Sequence, residues 1–447
     1  MVNSKLQLAA IGHQDMHLTG NPQISFFKAV YKRHTNFMME KKKNRFDGDM
    51  TFGNTNKSIL ENYGDLLYDM ALVVRYGSLP DAGGSQFSYA NAIGHSAIDT
   101  ITFKIGGFTI DTQTGEWLQI MKETSTPESQ MANYDKLIGQ GPIRGYHHLI
   151  GDPSGFFDEY LPFAQKNFNG GGTDDIGENT IITPLRFWFC KNSYNAIPSI
   201  SLKAQHFEVD VKLKAFSKLY VSRNDAYSAW QAVTPTTPTI EEAYLLCDYI
   251  FLDEEEKRRF VLNDRDYLIT QVQLTEEAVN QPGSSTVTSS NIKLNFTNPV
   301  SQLFWVVQRN DVSNTNEWFN FSRSLVSSGT PSTFSQANFL PPIKKAKLIL
   351  NGKDRTLLLE ENFYRRYESL RYNIRTPENF IYTYSFAINP NNKKQPSGQI
   401  NFSRITTAHL QLHYNIAAGI NMDVRVYALS YNIFKVVNKH GGVLYHQ

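Results

Sequence analysis

The stretch FEVDVKLKAF (207–216) does most to limit the fold. Phe207, Val209, Val211 and Leu213 fall on one side of an extended chain; Glu208, Asp210, Lys212 and Lys214 fall on the other. That period of two is what a strand with one wet face requires. Similar runs recur between clusters of Gly, Pro, Asn and Asp: DLLYDMALVVRYG (65–77), DTITFKIGGFTID (99–111), AYLLCDYIFLD (243–253) and YLITQVQLTEE (267–277). Many short strands separated by turn formers predict sandwiches or barrels, an all-β fold, rather than a helical bundle. Gly106-Gly107 within IGGFTI predicts a hairpin turn. The 29 Phe, 23 Tyr and 5 Trp supply large side chains of the kind that strands favour.

The two halves of the chain carry similar pieces in the same order. KIGGFTID (104–111) pairs with LILNGKDR (348–355), each ahead of a helical segment, GEWLQIMK or EENFYRRY. RFWFC (186–190) pairs with YTYSFA (382–387), and QHFEVDVKL (205–213) with AHLQLHYNI (408–416). A duplication into two β-sandwiches of roughly 190 residues each fits the length. The polar segment 219–241, with its TPTTP core, reads as the linker.

Charge is uneven. Residues 1–45 hold eight Lys/Arg against two Asp/Glu, a balance of +6, and the remainder is −4, giving the net +2. Lys28, Lys32, Arg33, Lys41, Lys42, Lys43 and Arg45 make a basic arm suited to an anionic partner. Within it, 21–37 reads as a short amphipathic helix: Asn21 caps it, Pro22 opens it, and Ile24, Phe27, Tyr31 and His34 share one face. The longest apolar run, LFWVV (303–307), is far short of the roughly 20 residues a membrane-spanning helix needs. The N-terminus lacks a secretory pattern, which predicts a chain that is soluble when made and not exported. Two cysteines, Cys190 and Cys247, exclude a disulfide scaffold and a multi-cysteine zinc module.

Sites for chemistry are sparse. His409 and His413 would suit a metal on a helix, but HLQLH alternates as a strand, setting the two about 13 Å apart. His147-His148 lack a third ligand. Glu208 and Asp210 have a spacing within reach of a glycosidase pair, yet Lys212 and Lys214 share their face and make it a balanced, solvated surface. DEEEKRR (253–259) predicts a short self-paired helix, Asp253–Lys257, Glu254–Arg258 and Glu255–Arg259. Cys190 reads as a buried strand residue, and GQGPIRG (139–145) lacks the lysine of a phosphate loop. Sequons stand at Asn56, Asn295, Asn320 and Asn401. No catalytic residue, cofactor or metal is expected.

Four blocks carry a family resemblance: LAAIGHQDMHLTGNPQISFFKAVYKRHTNF (8–37), DYIFLDEEEKRRF (248–260), QPSGQINFSRI (395–405) and HGGVLYHQ (440–447). In this order the chain resembles the double jelly-roll major capsid proteins of nucleocytoplasmic large DNA viruses, in the style of the algae- and amoeba-infecting members. The loops 78–97, 139–180 and 278–341 are its own. The resemblance implies two tandem eight-stranded jelly rolls with a short N-terminal helix. The expected division is an arm over 1–45, a first roll over 46–218, the linker, a second roll over 242–437 and a tail over 438–447. It further implies a homotrimeric, pseudo-hexagonal capsomer that tiles an icosahedral shell over an internal membrane. Neighbouring capsomers and minor capsid proteins would be partners, and the arm would face inward toward them or toward membrane headgroups. No specific nucleic acid is expected, and synthesis and assembly would occur in the host cytoplasm. The alternatives are a minor capsid paralogue, a β-sandwich that binds or cleaves carbohydrate, or a nucleic-acid binder acting through the arm.

Overall fold

The structure is a computed structural model that describes residues 6–29, 31–77, 79, 85–140, 180–224, 237–280, 287–323, 340–392, 394–417 and 419–445. It forms two units, Met1–Phe37 and Met38–Gln447.

The first unit corrects the expected helix. Its helical turns are Leu6–Ala9, His13–Asp15 and Met16–Thr19, and the described residues of 21–36 hold no helix. Asn21 has φ of 50°, a left-handed conformation and not the extended one a helix cap adopts. Phe26, Phe27 and Tyr31 are 92, 100 and 88% exposed, so no packing supports an apolar face. Without such support a helix of this length is marginal in water.

The second unit is built from strands. Its first half contains β1 (Phe37–Arg45), β2 (Thr55–Leu60), β3 (Leu66–Tyr76), β4 (Ser85–Tyr89), β5 (Ile98–Ile105), β6 (Phe108–Thr114), β7 (Thr180–Pro184), β8 (Phe207–Leu213), β9 (Tyr220–Asn224) and β10 (Ile240–Leu252). Its second half contains β11 (Arg265–Val279), β12 (Ser289–Lys293), β13 (Pro299–Arg309), β14 (Ile343–Leu350), β15 (Lys353–Asp354), β16 (Leu359–Glu360), β17 (Tyr382–Ser385), β18 (Ile400–Asn401), β19 (Ala408–Tyr414), β20 (Met422–Val437) and β21 (His440–Val443). The first half makes sheets ordered β1-β10-β3-β7 and β2-β8-β5-β6; the second makes β11-β20-β13-β17 and β12-β19-β14-β15. Strand for strand the order is the same, and each half is an eight-stranded jelly roll. β4 pairs with β9 apart from these, and β16, β18 and β21 add to the second roll.

The alternation that framed the fold is what closes each sandwich. On β8, Phe207, Val209, Val211 and Leu213 are buried, and on β19 the same holds for Ala408, Leu410, Leu412 and Tyr414. Gly106 and Gly107 turn the β5–β6 hairpin at φ of 57° and 84°; Asn351 and Gly352 turn β14–β15 at 50° and 74°. Two successive left-handed residues are the signature of a tight hairpin. RFWFC is not a strand: Trp188–Cys190 is a 3-10 turn after β7, and its rings pack around Phe103 at 5.1–5.6 Å. Cys190 therefore sits half-buried in that turn, its thiol pushed well up by burial.

Strand pairing moves one expected boundary. Residues 242–252 lie in β10, at the centre of the first roll's sheet between β1 and β3. Asp253 then caps the helix Glu254–Leu262, accepting from the Glu256 N–H at 2.9 Å, and β11 opens the second roll. Of the expected pairs in that helix Glu255–Arg259 forms, while Lys257 pairs with Asp65 and Glu254 because Asp253 is engaged as the cap. Residues 225–236, most of the expected linker, lie outside the described residues.

Candidate assembly surfaces

The helix Gly115–Ser125 follows β6 directly. Thr114 caps it, its Oγ1 accepting from the Trp117 N–H at 3.1 Å. Gly115 is required there: a Cβ would stand 2.0 Å from the His95 carbonyl. One face, Leu118, Gln119 and Lys122, packs on its own roll; Lys122 meets Gln140 at 2.6 Å, and Gln119 meets His95 at 2.7 Å. The other face crosses to the second roll, where Trp117, Ile120 and Met121 join the core. Trp117 lies 5.5 Å from both Phe304 and Tyr427.

Polar contacts fix this seam. Glu116 accepts from Arg425 Nε at 2.8 Å and from the Tyr427 hydroxyl at 2.9 Å, with both charged side chains nearly buried. Glu123 accepts from Asn379 Nδ2 at 2.6 Å and from its N–H at 3.2 Å. Asp111 accepts from the Val272 N–H at 3.1 Å. Trp318 donates to the Lys218 carbonyl at 2.7 Å. Burial pushes the Asp111 carboxyl up to about 6 and raises that of Glu123; it lowers His95 to about 3. A cavity of about 120 Å³ remains at the seam, lined by Trp117, Met121, Gln302, Phe304, Ile374 and Leu429 among others.

The second roll has its own helix at the corresponding point, Glu361–Tyr372, containing a π-helical turn at Phe363–Tyr367. Tyr364, Glu368 and Ser369 are buried beneath it. Arg366, Tyr367, Leu370, Arg371 and Ile374 are exposed, Leu370 at 78%. This face was not singled out from sequence. Its signal is a Thr-Pro-Glu that follows each helix, at 126–128 and 376–378.

The seven basic residues expected on one arm divide. Lys28, Lys32 and Arg33 are exposed in the first unit. Lys41, Lys42 and Lys43 belong to β1 and are ion-paired: Lys41 with Asp248 at 2.6 Å, Lys42 with Glu61, and Lys43 with Glu242 at 3.3 Å. Lys43 also sits 4.1 Å over the Tyr244 ring. Arg45 ends the strand, exposed. The +6 therefore splits: residues 1–37 hold four Lys/Arg and one Asp, +3, and β1 holds the other +3 beside carboxylates.

The chemical constellations disperse. His409 and His413 stand on β19, alternating with buried leucines, and among the described residues no three His, Cys, Asp or Glu are grouped to hold a metal. His147-His148 and most of GQGPIRG lie outside the described residues. Glu208 and Asp210 pair across the sheet with Lys57 at 3.0 Å and Lys104 at 2.5 Å. Lys212 does pair outward, with Asp99 at 2.7 Å, but Lys214 is not solvated: it lies 4.0 Å over the Trp318 ring, and burial lowers it to about 8. Among the sequons Asn56 is occluded, its amide donating to Val211 O and its oxygen accepting from the Thr51 N–H. Asn320 is half-buried and bonded to Glu317 at 2.7 Å. Asn295 and Asn401 are exposed. No helix among the described residues is long and apolar enough to cross a membrane.

Two matched sandwiches in one chain, joined by buried polar contacts, define a double jelly-roll protein. Residues 25–253 match the family model for the major capsid protein N-terminus, and residues 256–442 match that for the large eukaryotic DNA virus major capsid protein. The chain belongs to that family, whose members are structural proteins of the virion. It is 32% identical to the major capsid protein of Phaeocystis pouchetii virus over the full length of both. It is 29% identical to that of Paramecium bursaria Chlorella virus 1, again over the full length of both. In fold it is similar to a chain of the quasi-atomic PBCV-1 virus capsid, with a TM-score of 0.70, 23% identity, and 95% of this chain and 100% of that one covered. The Faustovirus major capsid protein also gives 0.70, at 14% identity, covering 98% and 97%.

Proposed function

We propose that three copies of this chain form a pseudo-hexagonal capsomer, and that such capsomers tile an icosahedral shell over an internal membrane. The observation that carries this reading is the repeated sheet order, β1-β10-β3-β7 with β2-β8-β5-β6 and then β11-β20-β13-β17 with β12-β19-β14-β15. Two similar rolls per chain let three chains occupy six near-equivalent positions. The buried Glu116–Arg425 pair and the Trp117 contact hold the rolls as one rigid piece, as a tile needs. The role is geometric and not enzymatic. Residues 1–37, with exposed Ile24, Phe26 and Phe27 beside Lys28, Lys32 and Arg33, engage minor capsid proteins or anionic headgroups. Surface sugars, where present, sit at Asn295 or Asn401 and not at Asn56.

Light scattering on the purified chain tests the assembly. Three chains of 50.9 kDa give about 153 kDa; a 50.9 kDa species at every concentration would defeat the reading. Deleting residues 1–37 is expected to leave that mass per chain count unchanged while removing retention on anionic vesicles or co-purification with particle components.

A further inference from the structure

Four arginines whose side chains are 11–13% exposed each meet a carboxylate: Arg309 with Asp311, Arg365 with Glu361, Arg375 with Glu378 and Arg425 with Glu116. Arg186, half-buried after β7, meets none among the described residues. Its guanidinium donates to Thr126 Oγ1 at 3.3 Å and lies 5.5 Å over the Tyr134 ring, while its Nε is buried without a hydrogen-bond partner. A buried donor left unmade costs free energy, and more so on a charged group.

Arg186 lines the seam cavity of about 120 Å³. Both rolls supply its apolar wall, Trp117 and Met121 from the first and Phe304 and Leu429 from the second. Lys191 lines it too, with its Nζ 2.9 Å from Thr270 Oγ1. Among the described residues no acidic side chain lines the cavity. The carboxylate that Lys191 does feel, Asp111, is engaged by the Val272 N–H and by Gln113 Nε2. The amides at the wall are also occupied: Gln302 donates to Asn373 at 3.2 Å, and Asn391 donates to the Tyr372 carbonyl at 2.6 Å. A neutral polyol would find these groups already spent, whereas an anion would find the guanidinium waiting.

Size narrows the class further. An apolar cavity of about 150 Å³ holds one benzene. Arginine matches a carboxylate with two parallel N–H···O bonds. We infer that the seam cavity is a binding site for a small aromatic monocarboxylate, its carboxylate on Arg186 and Lys191 and its ring against Trp117 and Phe304. Such a ligand touches both rolls at once. Occupancy therefore stabilises the seam, because the ligand binds only where the two rolls are joined.

The site lies within one chain and does not depend on the three-chain reading. Benzoate is the probe, titrated by calorimetry into the full chain beside benzyl alcohol, which keeps the ring without the charge, and acetate, which keeps the charge without the ring. Saturable binding of a single benzoate per chain is expected, with a raised unfolding midpoint and at least about tenfold weaker binding of both comparison compounds. Arg186→Gln is expected to weaken benzoate by at least about tenfold. Met121→Phe, which fills the cavity with a bulkier apolar side chain, is expected to abolish benzoate binding and carries the test should Arg186→Gln not fold. Absence of saturable benzoate binding overturns the inference, as does binding that survives Met121→Phe. Benzoate held no better than benzyl alcohol, or equally well by Arg186→Gln, overturns it as well.

Discussion

Two helices stand at the same point of the two rolls and meet opposite fates. Trp117 and Ile120 of Gly115–Ser125 are 1 and 0% exposed, whereas Tyr367 and Leu370 of the second helix are 51 and 78% exposed. The first face is apolar, the second mixes Tyr367 and Leu370 with Arg366 and Arg371, and both own-roll faces are buried. The difference lies in what stands opposite: the first helix meets β13 and β20 through Phe304 and Tyr427, and among the described residues no such sheet covers Tyr367 and Leu370. An exposed large apolar patch is informative where an isolated exposed leucine is not. Here its meaning comes from the buried twin.

The comparison can be broken most forcefully at its aromatic anchor. Trp117→Ala is expected to cost about 3–5 kcal/mol in chemical denaturation, while Tyr367→Ala in the unassembled chain should stay within about 0.5 kcal/mol. Equal losses would mean the two helices are not related as described. Arg425→Met alone strands a nearly buried Glu116 carboxylate and is expected to cost about 3–5 kcal/mol; adding Glu116→Leu should recover most of that loss.

A pH series sharpens the seam further. Asp111 is raised from 3.8 to about 6 in the folded chain, so between those values the fold binds more protons than the unfolded chain. Its stabilising contribution is fully present below about pH 4 and is lost as pH rises through 6. A shift of about two units corresponds to about 3 kcal/mol. His95, lowered from 6.5 to about 3, acts in the opposite sense, its contribution being lost as pH falls from 6.5 toward 3. The two are separated by Asp111→Asn, whose stability relative to the wild type should rise by roughly 3 kcal/mol between pH 4 and pH 7; a pH-independent difference would contradict the burial of a charged form. The smallest effect concerns the surface: peptide mapping should find no glycan on Asn56, where the folded amide is fully engaged.

Much of the fold was legible because strands announce themselves through alternation. β8 and β19 follow the alternation of their residues, and the hairpins at Gly106-Gly107 and Asn351-Gly352 sit where their turn residues require. The expected helix over 21–37 failed because apolar periodicity states only that a face could be buried; among the described residues of Met1–Phe37 nothing buries it. RFWFC misled through β-favouring residue types, since its aromatics pack equally well from a 3-10 turn. Lys41, Lys42 and Lys43 were grouped with Lys28 by sequence proximity, although β1 carries them beside Glu61, Glu242 and Asp248, partners up to 207 residues away. The 361–375 face was hidden for the same reason.

The linear order of residues thus determined the strand pattern, the turns and the duplication, because alternation and turn chemistry act over a few neighbouring residues. Only the tertiary structure decided which charges are neutralised, where the first roll ends, and which of two similar helices is buried against the other roll, because those depend on groups brought together from distant parts of the chain.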